Sequence, residues 1–295
     1  KAKGPNRASE WQPRYRKERF FMLKRLTSFT LIFILAFSAM AYSVETVAPD
    51  TPKTAEIRMS PYEIVHTGLA REILVVEDFV DDGSIGISAF NFGDSKLKLM
   101  ISKDGQTYTY DLIPKGVPEF FPLQLGDGIY NLAILENTTG SSYRYVRKMT
   151  LEATIKNELN VFLQPMQYND WTNNQEFMNF IDELTIDAVS NQEIIDVLYN
   201  YMINNFGYDY IKAATVKSGY LPEISLLLDE KIGICYDYSA IFSAALRYKG
   251  IPSKLVKGYT TYVNSYHAWN EVLINGQWKT IDTTYDAAYV QNNKN

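Results

Sequence analysis

At 295 residues, with 46% apolar and 21% charged side chains, the chain is long enough for one or two packed domains and too mixed to be fibrous or disordered. Its net charge of −5 hides an asymmetry: residues 1–25 carry nine Lys or Arg against two Glu, which leaves the rest at −12 and argues against a phosphate-backbone partner. One cysteine and two histidines, His66 and His267, exclude an internal disulfide and leave too few of the usual ligands for a zinc site.

Residues 1–21 precede Met22 and read as an extension of unclear origin. Residues 22–41 read as a signal peptide. Lys24 and Arg25 form a positive start, an apolar stretch runs to Phe37, and Ala39-Met40-Ala41 is a small-x-small cleavage pattern. The alternative is an uncleaved anchor, for which the apolar run is short. The expected location is therefore secreted or cell-surface, with membrane contact only through this segment if it stays attached. Residues 42–72 are polar and linker-like.

Residues 73–165 carry a β pattern. "SIGISAF", "KLKLMIS", "QTYTYDL", "IYNLAIL" and "SYRYVRKMTLEA" are short runs rich in β-branched and aromatic residues. Asp82-Gly83, Asp104-Gly105, Asp127-Gly128 and Thr139-Gly140 separate them, and Asp104-Gly105 predicts a tight hairpin. Strands at this spacing predict a small β-sandwich. No catalytic grouping lies within it, so a fragment starting near Asn169 is expected to keep any site further on.

Residues 166–295 change period. Ser190-Asn191-Gln192-Glu193 is a capping-box pattern opening a helix with Ile194, Val197, Leu198, Tyr201 and Met202 on its apolar face. A second helix begins near Cys235, with Tyr238, Ile241, Phe242, Ala245 and Leu246 at helical spacing, and stops at Gly250 ahead of Pro252. Three strand-like runs follow: "SKLVKGYTTYV", "YHAWNEVLI" and "QWKTIDTTY". Asn275-Gly276 joins the last two as a type I′ turn.

The lone Cys235 is open to three readings: a buried small hydrophobe, an intermolecular link, or a nucleophile. A helix N-terminus favours the thiolate, and the Cys235 backbone N–H is an oxyanion donor in waiting. The hairpin adds a second observation. With Ile274 paired to Gln277, Trp269 falls opposite Asp282 and His267 opposite Thr284. That places His267 and Asp282 as diagonal neighbours on one face, where the carboxylate can fix the imidazole tautomer.

"GICYDYSAIFSAALRYKGIPSKLVKGY", "HAWNEV" and "GQWKTIDTTY" resemble, in order, the three signature blocks of the transglutaminase-like superfamily, relatives of the papain-like cysteine proteases. The matching residues span roughly 190–285. They include Gly233, Asp237, Arg247, Gly250-Ile251-Pro252, Trp269, Glu271 and Thr284-Tyr285. The resemblance implies an α+β papain-like core, with a Cys-bearing helix packed on an antiparallel sheet that carries His and Asp. It further implies Cys235 as nucleophile, His267 as general base and acid, and Asp282 as orienter. Tyr208 in "FGYDY" is the candidate oxyanion side chain, against a plain core or surface tyrosine. Trp269 and Trp278 are candidate walls of the site, against core packing. The expected activity is acyl transfer or hydrolysis at an amide of a protein or peptide, through a thioester and without metal or cofactor. The alternative is a non-catalytic cell-surface binding protein that keeps the fold.

Overall fold

The computed structural model describes residues 70–292, all within one compact unit. The extension, the signal segment, His66 and the linker up to residue 69 lie outside the described residues.

The first part is two antiparallel sheets. Its strands are β1 (Glu72–Val76), β2 (Ser84–Phe90), β3 (Leu97–Lys103), β4 (Gln106–Leu112), β5 (Glu119–Pro122), β6 (Gly128–Thr139) and β7 (Ser142–Ala153). One sheet runs β1-β2-β5 and the other β4-β3-β6-β7. Alternating residues of both, Ile85, Ile87, Leu99, Ile101, Phe121, Tyr130, Leu132 and Ile134 among them, form a single apolar cluster. The β3–β4 connection is the tight turn that Asp104-Gly105 predicts, with φ of 48° and 80°.

The second part is helical around a small sheet. In chain order it holds α1 (Gln175–Leu184), α2 (Asn191–Asn205), β8 (Gly207–Tyr208), α3 (Tyr210–Thr215), α4 (Ile224–Glu230), β9 (Ile232–Gly233) and α5 (Cys235–Tyr248). There follow β10 (Ser253–Gly258), β11 (His267–Ile274), β12 (Gln277–Ile281) and α6 (Thr283–Asn292). Ser190 caps α2 by accepting from Glu193 N at 3.3 Å, while the Glu193 carboxylate accepts from Val189 N at 2.7 Å. Helix α5 is central. From Asp237 to Tyr248 every residue is buried, which a helix tolerates only when neighbours cover all its faces. It packs on the sheet β10-β11-β12, where Asn270 Nδ2 donates to Ser239 O at 3.0 Å.

The strand-like pattern continues past the point where the sheet ends. β12 stops at Ile281, not Tyr285, because Asp282 caps a new helix: its Oδ1 accepts from Tyr285 N at 3.0 Å. Thr284 therefore has no strand partner opposite His267. Likewise β10 ends at Gly258 rather than continuing through Val263.

Polar contacts tie the two parts together. Gln167 Nε2 donates to Asp111 O and to Glu119 Oε1, and Gln167 N donates to Phe120 O. Arg247, 1% exposed, donates twice to Ser253 O, at 3.0 and 2.7 Å, once to Gln164 O at 2.7 Å, and once to Tyr168 Oη at 3.2 Å.

Candidate active site

Cys235 is the first residue of α5 and is partly exposed. The turn leading into it is fixed by Asp237, which is 1% exposed. The Asp237 carboxylate reaches back to Ile234 N at 2.9 Å, accepts from Tyr220 Oη at 2.5 Å and pairs with Lys212 Nζ at 2.8 Å. An acidic side chain in the first turn suits the positive end of the helix. The glycine before the cysteine has a steric cause. A Cβ on Gly233 would lie 2.6 Å from Asp237 Cβ and 2.9 Å from Asp237 Oδ2. Asp237 is among the family-like residues of the sequence. Lys212 and Tyr220, which hold it, are not marked by any motif.

Parallel pairing of β8 with β9 sets Tyr208 opposite Gly233, two residues before the cysteine. Burial, and then the charge of the nearby Cys235, raise the Tyr208 phenol above its ordinary range, so it stays a proton donor.

His267 opens β11 and Asp282 follows β12. The register Ile274↔Gln277 through Asn270↔Ile281 is the one the Asn275-Gly276 turn predicts, with both turn residues at positive φ. His267 Nε2 lies 2.7 Å from Asp282 Oδ2, both side chains being at least nine-tenths buried. The route differs from the diagonal of a continuous ladder. Asp282 stands beyond the last pair, as the cap of α6, with one carboxylate oxygen for the helix and the other for the imidazole. Tyr262 also donates to Asp282; burial and then the carboxylate charge hold that phenol above its usual range.

Burial opposes a charge on His267, but hydrogen bonds to Asp282 and Cys235, and the charges of both, outweigh it and push the imidazole up to about 9. Nε2 being taken by Asp282, Nδ1 is left for Cys235. The raised value carries a stability consequence. An unfolded histidine titrates near 6.5, so the contribution is full below that pH and is lost as pH rises through about 9. The advantage of wild type over His267→Gln in urea is expected to shrink by up to about 3 kcal/mol between about pH 6 and about pH 9.5. An advantage that grows over this range would show a neutral imidazole instead.

Trp269 stacks near His267, with ring centroids 6.3 Å apart and planes 19° from parallel. The structure does not bring Trp278 to this place. Trp278 pairs with Leu273, six residues along β11 from His267, or about 20 Å at the rise of a strand. Its ring meets Phe162 edge-on at 5.1 Å and carries the Lys254 ammonium 3.9 Å over its face. It is therefore a packing residue between the two parts of the chain.

Residues 179–283 match the family model of the transglutaminase-like superfamily. No curated protein matches the chain. Among solved structures, it is similar to a candidate cysteine protease from Cytophaga hutchinsonii, at 15% identity and a TM-score of 0.39, over 64% of this chain and 76% of that one. It is also similar to the periplasmic domain of TgpA from Pseudomonas aeruginosa, at 14% identity and a TM-score of 0.36, over 77% of this chain and 97% of that one. The family match covers the helices and strands that carry Cys235, His267 and Asp282, and on it the chain has a transglutaminase-like domain.

Proposed function

We propose that the protein is a thiol enzyme that acts on amide bonds of peptides or proteins outside the cytoplasm. The observation that carries the reading is the buried 2.7 Å contact between His267 Nε2 and Asp282 Oδ2, with Cys235, at the start of α5, near enough to act on the same imidazole. An imidazolium beside the thiol favours the thiolate. Its sulfur forms a bond to the carbonyl carbon, and the carbonyl π electrons move to oxygen. The oxyanion lies within the field of the α5 N-terminus, with the Cys235 N–H and the Tyr208 hydroxyl as donors. As the tetrahedral centre collapses, the C–N bond breaks and His267 gives its proton to the leaving nitrogen. Water or an amine then attacks the thioester and passes a proton to His267, and the sulfur leaves as thiolate. Asp282 holds the imidazole in one tautomer throughout. Action outside the cytoplasm is supported by the segment from Lys24 to Ala41.

The test is incubation with a glutamine-bearing protein and a labelled amine, following amine incorporation, ammonia release and chain cleavage separately. At least one product is expected with wild type and none with Cys235→Ala. No product and no acyl-enzyme by mass spectrometry would favour a binding protein that keeps the fold.

A further inference from the structure

A cleft of about 480 Å³ runs between the two parts of the chain. Six tyrosines line it: Tyr108 and Tyr110 of β4, Tyr168 of the connecting segment, and Tyr220, Tyr236 and Tyr266 of the helical part. Tyr236 follows the cysteine and Tyr266 precedes the histidine, so the cleft passes beside the chain segments that carry the candidate site. Lys257, another lining residue, sits within electrostatic reach of Cys235 and places its ammonium 4.0 Å over the Tyr236 ring.

Each long side of the cleft is the edge of a sheet. β10 is the outer strand of β10-β11-β12, and β4 is the outer strand of β4-β3-β6-β7. The direction of the edge groups follows from the ladder phase. Leu273 N donates to Pro252 O at 3.0 Å, so Lys254, Val256 and Gly258 turn their N–H and C=O toward β11, while Ser253, Leu255 and Lys257 turn theirs away. Arg247 occupies Ser253 O. Leu255 and Lys257 are left with outward backbone groups that bond to no other described residue, and both line the cleft. On β4 the two-residue turn makes Gln106 bond to Lys103, so Thr107, Thr109 and Asp111 also turn their backbone groups away from their own sheet. Gln167 takes Asp111 O, and Thr109 faces the cleft.

An open edge beside a reactive thiol is a template for one kind of occupant. Outward donors and acceptors recur every second residue, about 6.6 Å apart, which is the repeat of an extended polypeptide. Of the charges on the walls, Asp111 is paired with Lys98 and Lys254 with Glu271, while Lys257 lies over the Tyr236 ring, so the wall is mostly aromatic with one cation near the thiol. We infer that an extended peptide segment adds as a strand to β10 at Leu255 and Lys257, with β4 of the β-rich part as the facing wall, and so delivers its reactive amide to Cys235. This rests on the acyl-transfer reading and names its substrate as polypeptide in extended form. It also gives the β-rich part a share in the site, so a fragment starting near Asn169 would keep Cys235, His267 and Asp282 but lose one wall of the groove.

The test uses the full chain and an octapeptide of alternating Thr and Val with a chloroacetamide on a central side chain. The Cys235 sulfur displaces chloride, and the rate is read by mass spectrometry against free chloroacetamide. The peptide is expected to react about 100-fold faster. Backbone N-methylation is expected to cost roughly tenfold at alternate positions and under about twofold at those between. Tyr108→Ala is expected to narrow the peptide's advantage over the free reagent by about fivefold. A thiol that takes the free reagent readily but gains nothing from the peptide overturns the groove alone. N-methyl losses without alternation overturn strand addition, and so does protection by a glucan oligosaccharide where the peptide gives none. A thiol that neither reagent alkylates faster than in denatured protein overturns both the groove and the acyl-transfer reading.

Discussion

Asp282→Asn is expected to lower kcat/KM for amide turnover by roughly 10²–10³-fold while leaving the fold intact. The fold is spared because Asn is as good a helix cap as Asp, so its carbonyl oxygen can still accept from Tyr285 N. The loss comes from the other side of the carboxylate. At 2.7 Å from Asp282 Oδ2, His267 Nε2 must present a hydrogen, which leaves Nδ1 for the thiol. An amide can turn its own N–H to Nε2, trapping the tautomer with hydrogen on Nδ1, and it no longer stabilises the imidazolium. The analogous change in a serine triad costs about 10⁴. The loss here is expected to be smaller, because a thiolate depends less on its base than an alkoxide does. Steady-state kinetics with circular dichroism check it. Full activity in Asp282→Asn would remove Asp282 from the mechanism.

Arg247→Met is expected to destabilise the protein by about 3–5 kcal/mol, the combined cost of leaving several buried acceptors without a donor. Met nearly fills the space, so little of the loss is cavity. What is lost is a fork of donors that satisfies Ser253 O, Gln164 O and Tyr168 Oη deep in the interior. Lys at this position is expected to recover less than half, since one ammonium cannot span three acceptors in two directions. Chemical denaturation measures the total, and hydrogen exchange over residues 160–170 should show this segment loosening first. A loss under about 1 kcal/mol would mean that water takes over the arginine's bonds.

Much of the second part was legible because short-range signals agreed there. The range Cys235–Tyr248 follows from apolar spacing and a glycine stop, and the β11–β12 register follows from Asn275-Gly276. Asp282 was legible as a neighbour of His267, but not the path by which it gets there. "DTTY" alternates well enough to pass for strand, and only the cap bond to Tyr285 N shows that the chain has already turned into helix. For Trp278 the choice between site wall and packing was left open for a related reason. Proximity in sequence to Asp282 says nothing about distance along a strand, and packing against Phe162 depends on how the two parts meet. Tyr208 needed a two-residue parallel pairing to reach Cys235, and so short a pairing leaves no periodicity. The cleft leaves no local trace at all. Its walls come from β4, the segment near Tyr168, α5 and β10, and a sheet edge exists only once the strand order is known.

The sharing of Asp282 between a helix and an imidazole makes the backbone amide of Tyr285 a built-in reporter. Its resonance in an amide spectrum should move as His267 titrates, with no substrate present. The same bond also links the start of α6 to the carboxylate that faces His267. Helix ends open far more readily than whole domains, and each opening of the first turn of α6 frees the carboxylate to swing away from the ring. If the proposed acyl transfer holds, a variant that loosens the first turn of α6 is expected to lose activity in proportion to how often that turn opens.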